Sequence, residues 1–431
     1  MDQLKLPHSL SASEWQAIRN DFPLLSRTVR GGKQLVYLDS GATAQKPDPV
    51  LDAEADFNLL HNAAVHRGAH QLAEEATEAF EQARRKVADF VGAEENEIVW
   101  TMNATAGINL LAYAFSNASL GRGGTGARRF ALGPGDEIVV TELEHHANFV
   151  PWQELAARTG AKLKWVQVDD EGRLRSEQLG EVVTERTKIV AFTHVSNVTG
   201  TITDVNEFVA AAKRVGAFTV LDACQSAPHI PLDVKELNVD FAVFSAHKLY
   251  GPTGVGALYG RYETLVDLPV VTTGGSMVER VTLAETTYML PPQKFEAGTQ
   301  MVAQAIGFGA AVDYLGEIGM QNVADHEYLL AEKLLEIQDI PGITLIGPNN
   351  TEGRLAIAAF TIDGVHPHDG GQVLDDYGIA VRVGHHCAQP VHQKFGIAAT
   401  VRASVGIYNT AAEIDIFIAA LKKVRPYFGL N

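Results

Sequence analysis

The sequence predicts an α/β protein built on a mainly parallel sheet, and three observations predict it. Short apolar runs recur through the middle of the chain, at Glu97–Thr101, Glu137–Thr141, Leu163–Val168, Lys188–Thr193, Phe218–Asp222, Phe241–Ser245 and Gly254–Tyr259. Several are nearly continuous in Val, Ile, Leu and Phe, the pattern of strands covered on both faces. Helical patterns separate most of them, and strand–helix alternation implies a mainly parallel sheet.

Taken in order, the N-terminal stretch MDQLKLPHSLSASEW has no basic segment followed by an apolar one, so no secretory signal is expected. No apolar run approaches the roughly 20 residues of a membrane span. Ser116–Gly126 is rich in Gly and Ser and reads as a mobile surface loop. Val205–Val215 carries Val205, Phe208, Val209 and Ala212 on one helical stripe. Residues 274–290 are poorly periodic, and the pattern changes at Pro291–Pro292. Beyond it a long helix is expected over Gln300–Ile318, another over Ala324–Ile337, then short strands. A last helix opens on the capping box Thr410-Ala-Ala-Glu413, with Ile414, Phe417, Ile418, Leu421 and Val424 as its apolar face. The expected organisation is a large domain over 30–290 and a smaller α+β domain over 291–431, with 1–29 packing near the latter.

Of the 431 residues 46% are hydrophobic, which is enough for a large core. The net charge of −17 argues against nucleic acid or an anionic membrane as the main partner. Two cysteines, Cys224 and Cys387, make no disulfide framework, so a reducing, cytoplasmic setting is expected. There is no G-x-x-x-x-G-K-[ST] loop, and Gly254-Val-Gly256-Ala-Leu-Tyr-Gly260 misses the dinucleotide spacing.

Two strand ends carry chemistry. Phe241–Ser245 runs into Ser245-Ala-His247-Lys248, and ligands of open parallel sheets bind beyond the carboxyl ends of strands. A lysine there can form a Schiff base; the plain alternative is a solvated loop lysine. Ser245 and His247 can reach a phosphate from the same turn. Ala217-Phe-Thr-Val-Leu-Asp222 ends in a carboxylate, by itself as readily a turn former as a ligand. Together, Lys248 and Asp222 supply the amine and the acidic partner of a pyridinium nitrogen that pyridoxal phosphate needs.

The pair resembles that of fold-type I pyridoxal phosphate enzymes of the class V aminotransferase group. Thr141-Glu-Leu-Glu-His-His-Ala-Asn148, Thr193-His-Val-Ser-Asn197-Val-Thr-Gly200, Phe295-Glu-Ala-Gly-Thr299 and Arg382-Val-Gly-His-His-Cys387-Ala-Gln-Pro390 resemble SufS-type cysteine desulfurases, in the same order, over nearly the whole chain. The resemblance implies a seven-stranded large domain and a desulfurase that converts L-cysteine to L-alanine, leaving a persulfide for iron–sulfur cluster assembly. The alternatives are a selenocysteine lyase or another aminotransferase or lyase of the class.

By the same resemblance Lys248 is the Schiff-base lysine, and His145 stacks on the cofactor and acts as acid/base. Asp222 holds the pyridinium, Gln225 the 3′-oxygen, and Asn197 the substrate or that oxygen. Thr105, Ser245 and His247 bind the phosphate, with Thr299 supplied by the partner subunit of a homodimer. Arg402 grips the substrate carboxylate, and Cys387 is the nucleophile. Metal ligation by His385, His386 and Cys387, and an inert buried Cys387, are the competing readings. Cys224 reads as a core residue. Asp363-Gly-Val-His-Pro-His368-Asp369 reads as a surface turn, or, by resemblance to enzymes served by SufU-type zinc proteins, as the place where His368 takes a zinc ligand position in the acceptor; a SufE-type acceptor needs no such histidine.

Overall fold

The computed structural model describes residues 10–430. Its centre is a seven-stranded sheet of β1 (Ile98–Thr101), β2 (Glu137–Thr141), β3 (Lys162–Val166), β4 (Thr187–Thr193), β5 (Phe218–Asp222), β6 (Phe241–Ser245) and β7 (Gly256–Gly260). The spatial order is β1-β7-β6-β5-β4-β2-β3. Only β7 runs against its neighbours, pairing antiparallel with both β1 and β6.

The continuous apolar runs have a direct cause in this sheet. Val190 and Phe192 of β4 join one core, while Ile189 and Ala191 join the core on the opposite face. In β6, Ala242 and Phe244 divide from Phe241 and Val243 in the same way. Each large apolar side chain so buried contributes about 1.5–3 kcal/mol.

Among the helices are α1 (Ala12–Asn20), α2 (Asp48–Asp56), α3 (Gln71–Phe90), α4 (Ala104–Ser119), α5 (Val150–Thr159), α6 (Val205–Val215), α7 (Val302–Ile318), α8 (Met320–Leu334), α9 (Pro367–Asp376) and α10 (Ala411–Leu421). Helix α7 packs on α2 and α3, beside the large sheet, although its sequence follows the change of pattern at Pro291. A second sheet, β8 (Ile343–Ile346), β9 (Ile357–Ile362), β10 (Arg382–Gly384) and β11 (Thr400–Ser404), is antiparallel in the order β8-β9-β11-β10. It shares a core with α8, α9 and α10. Helix α10 starts at the expected capping box, in which Glu413 N donates to Thr410 Oγ1 and Thr410 N to Glu413 Oε2.

The N-terminal segment joins the second sheet. Residues 1–9 lie outside the described residues; within α1, Arg19 pairs with Glu413 at 2.7 Å and Trp15 stacks on His326. Val36 and Tyr37 pair in parallel with Ile379 and Ala380, and Asp39 bridges to Ser404.

Two local expectations change. Ser116–Ser119 is the last turn of α4, not a mobile loop: Asn117 Nδ2 donates to Val270 O, and Ser119 Oγ both donates to Phe115 O and accepts from Leu132 N. Those bonds let polar residues end a helix that a Gly/Ser composition alone reads as coil. The aperiodic stretch before Pro291 contains a hairpin, Val278–Val281 with Thr286–Tyr288, whose strands are largely exposed and therefore show no apolar alternation.

Candidate active site

Strand β2 leads through α5 to β3 on one side, whereas the next strand, β4, leads through α6 to β5 on the other. Neighbouring strands whose connections diverge leave a crevice at their carboxyl ends. A cavity of about 300 Å³ opens there, walled by strand ends of the large sheet and by the Arg382–Arg402 side of the second.

One end of the cavity is built for an anion. Asn103 Oδ1 caps α4 by accepting from Ala106 N at 2.9 Å, and Ser245 Oγ accepts from Ala104 N at 2.9 Å. Thr105 sits in that first turn, where N–H groups lack helical partners and the helix dipole favours negative charge. His247 lines the same region; burial, then the neighbouring Lys248, pushes its pKa down to about 4.

The middle of the cavity presents Asp222, Gln225, His145 and Lys248. Asp222 Oδ1 accepts from Cys224 N at 3.0 Å, which leaves the second carboxylate oxygen for another partner. Gln225 Nε2 donates one hydrogen to Gly41 O at 2.8 Å, and its buried Oε1 has no partner among the described residues. His145 Nδ1 accepts from Ala147 N at 3.1 Å, so the neutral ring carries its proton on Nε2. Burial first, then Lys248, pushes the His145 pKa down to about 3.

The far end presents Arg402, with Asn197 beside it. Arg402 is buried, donates to Asn197 O at 2.9 Å and to Asp39 Oδ1 at 3.4 Å, and keeps a buried Nε without a partner. Burial lowers its pKa to about 10, which leaves it cationic at neutral pH. Asp39 also pairs with Arg382 at 3.1 Å. Asp39 and Arg382 had no role assigned from sequence, although Arg382 opens the motif that carries Cys387.

Cys387 is exposed at the cavity rim, on a loop after β10. His386 and Cys387 have φ of 51° and 54°, a left-handed conformation that costs non-glycine residues roughly 1 kcal/mol each. Three bonds hold it: Asn197 Nδ2 to His386 O at 2.7 Å, His146 N to Cys387 O at 2.6 Å and Cys387 N to His385 Nδ1 at 3.2 Å. Two of the donors come from the large sheet's loops, so the strained Cys387 loop is clamped from across the cavity. His386 Nε2 is engaged with Thr400 Oγ1 at 2.8 Å. Cys224 is its opposite, a buried thiol that burial, then the Asp222 carboxylate, pushes far above the ordinary thiol range.

Two predicted residues stand apart. Thr299 is exposed and lines a second cavity of about 760 Å³, which Asn103 and Thr105 also border. His368 is exposed in the first turn of α9; its N–H donates to His366 Nδ1 at 3.3 Å and the two rings stack. Pro367 opens that helix at its first position, where its missing N–H costs nothing, so the segment is a helix start and not an isolated turn.

The donor set suits pyridoxal phosphate: a helix N-terminus with two hydroxyls for the phosphate, a carboxylate with a spare oxygen for the ring nitrogen, a lysine amine for the aldehyde, and an unpartnered buried amide oxygen beside a spare amide N–H at the ring edge. Residues 36–417 match the family model of class-V aminotransferases. The chain is 53% identical to "Probable cysteine desulfurase 2" of Mycobacterium leprae, over 98% of this chain and 99% of that one. It is 50% identical to "Probable cysteine desulfurase" of Streptomyces coelicolor, over 96% and 98%. The apo structure of a cysteine desulfurase from Thermococcus onnurineus superposes with a TM-score of 0.87 at 37% identity, covering 98% and 99% of the two chains. With sequence, fold and cavity in agreement, the chain belongs to the class-V aminotransferase family, within its pyridoxal phosphate-dependent cysteine desulfurases.

Proposed function

We propose that the protein is a cysteine desulfurase that converts L-cysteine to L-alanine and leaves the sulfur as a persulfide on Cys387, for iron–sulfur cluster assembly. The observation that carries this reading is that Lys248, Asp222, Arg402 and Cys387 all line one cavity. When bound, pyridoxal phosphate supplies an electron sink that makes the substrate's Cα proton removable.

The chain's own residues do the rest. Thr105, Ser245 and His247 hold the phosphate, Asp222 and Gln225 fix the ring, and Lys248 anchors the aldehyde. Arg402 takes the substrate carboxylate through a guanidinium suited to two parallel hydrogen bonds, with Asn197 beside it. Lys248 Nζ, once free, removes the Cα proton. His145 stays neutral and offers its Nε2–H for transfer. The Cys387 thiolate attacks the substrate Sγ: an S–S bond forms, the Cβ–Sγ bond breaks with its electron pair going to carbon, and a proton added at Cβ and one returned to Cα yield alanine.

Incubation with L-cysteine and a thiol reductant tests this. Alanine and sulfide are expected in equal amounts; pyruvate, or a requirement for a keto acid, would reject it.

The protein acts as a homodimer in which Thr299 serves the partner's phosphate site. Its exposure, and the exposed apolar residues Val281, Leu283 and Leu290 on the nearby hairpin and its exit, support this. Sedimentation as a monomer at micromolar concentration would count against it. The sulfur acceptor is a SufU-type zinc protein, and His368, exposed at a helix start, takes over a zinc ligand position. Under this reading His368→Ala keeps basal activity with a small reductant and loses stimulation by the zinc protein; unchanged stimulation would favour a SufE-type acceptor.

A further inference from the structure

Behind the cavity, four buried residues form one chain of hydrogen bonds. Trp152 Nε1 donates to Asn148 Oδ1 at 2.9 Å, and Asn148 Nδ2 donates to Glu144 Oε2 at 2.6 Å. Glu144 Oε1 accepts from Thr141 Oγ1 at 2.6 Å and from the Thr193 backbone N–H at 2.9 Å. Thr141 ends β2 and Thr193 ends β4, so the Glu144 carboxyl bridges the two strands whose divergence creates the crevice. Glu144 and Asn148 are the two ends of the turn that presents His145, and Asn148 N closes it by donating to His145 O at 2.8 Å.

Two fixed donors, the Trp152 indole and the Thr193 backbone N–H, set the directions along this chain. An indole can only donate, so Trp152 fixes the oxygen of Asn148 toward itself and the amide nitrogen toward Glu144. Glu144 must then accept at Oε2, and the N–H of Thr193 requires acceptance at Oε1. A side-chain amide in place of Glu144 meets a donor in either orientation: Asn148 Nδ2 in one, Thr193 N in the other.

We propose that Glu144, oriented by Asn148 and Trp152, is a positioning residue for His145, holding the ring and its Nε2–H tautomer toward the cavity. The proposal rests on the reading of His145 as the acid/base of a desulfurase. Glu144 touches no reacting atom; it acts through the turn and through the Ala147 N–H that His145 Nδ1 accepts.

Moving the carboxylate tests the relay. The carboxylate that Asn148→Asp introduces can accept from the Trp152 indole and from the amide that Glu144→Gln introduces, so E144Q/N148D restores matched bonds with the same total charge. Each single variant of the holoenzyme is expected to lower kcat/KM about tenfold or more, since E144Q sets two donors against one another and N148D crowds two carboxyl groups, one of which must keep a proton, into a buried site. In 15N-histidine NMR each is also expected to shift His145 away from the Nε2–H tautomer. The double variant should recover both readouts, with kcat/KM within about threefold of the parent. Parental His145 signals in E144Q, or a double variant no better than the combined singles, would overturn the proposal. Where E144Q does not accumulate folded, a folded E144Q/N148D with parental His145 signals supports the relay, and an unfolded one overturns it. If the parent makes no alanine from cysteine, the desulfurase reading fails while the NMR arm still decides the relay.

Discussion

Cys387 and Cys224 carry one functional group in opposite settings, and the difference supports the roles proposed for them. The first is exposed on a strained, clamped loop at the cavity rim, and the second is a buried thiol beside the Asp222 carboxylate. Cys387→Ala should therefore abolish sulfide release while the protein still purifies with cofactor absorbance near that of the parent; Cys224→Ala should leave turnover within about threefold, as a small core change does. Alanine and sulfide assays beside a visible spectrum decide both. Asp39 makes a second test at this scale. It pairs with Arg402 and Arg382, so Asp39→Asn should loosen the carboxylate grip and raise KM for cysteine about tenfold with a smaller change in kcat. Steady-state kinetics in which only kcat falls would contradict that assignment. Lys248 and Asp222 were legible in the sequence because each follows an apolar run. The Asp39 pairs were not, because its partners lie 343 and 363 residues away and no local pattern joins them.

Elements follow the same division. Most of the seven large-sheet strands were legible because burial on both faces leaves continuous apolar runs; three coincide with the expected bounds and four differ by one or two residues, among them the partly exposed edge strand β3. The hairpin at 278–288 was hidden because exposed strands carry no burial signal, and the end of α4 because serine and asparagine close it through bonds to distant backbone. The contact between β7 and the start of α4 gives an element-scale prediction. A Cβ on Gly256 would stand 2.8 Å from both Asn103 Cα and Phe244 O, neither of which can move without shifting a helix cap or a strand. Gly256→Ala should cost about 1–3 kcal/mol of stability through overpacking. It should also weaken pyridoxal phosphate retention, because the displaced residue caps the helix proposed to hold the phosphate. Thermal melting and loss of absorbance on dialysis would read the two effects. Retention equal to the parent's would mean that the cap tolerates displacement.

For the whole molecule, buried histidines set the acid limit. Burial pushes His145 down to about 3, His194 and His247 to about 4, and His386 to about 2. An unfolded chain protonates these groups near pH 6.5, so between about 6.5 and 4 it binds more protons than the native state does. Their share of the stability is intact above that range and is lost as pH falls through it. Glu144, pushed up to about 8 by burial, acts in the opposite sense between about 4.5 and 8, and burial also raises Glu54, Glu327 and Glu413; on the other side it lowers His146, His326 and His392 as well. The melting temperature should therefore be lower at pH 5 than at pH 7. His194→Gln, whose site lies outside the cavity, should flatten that slope by about one proton. A melting temperature that rises on acidification would show that the buried carboxyls outweigh the imidazoles.

The two walls of the cavity also differ in when they come into being. Every strand of the large sheet, with Lys248, Asp222 and the capped helix, lies in residues 98–260, whereas Arg382, Cys387 and Arg402 come more than a hundred residues later. On a ribosome the residues proposed to cradle the coenzyme, Thr299 apart, therefore emerge before those proposed to grip cysteine and accept its sulfur. A chain that has reached residue 260 thus holds every strand-end group proposed for the coenzyme and none of those proposed to act on the sulfur of cysteine.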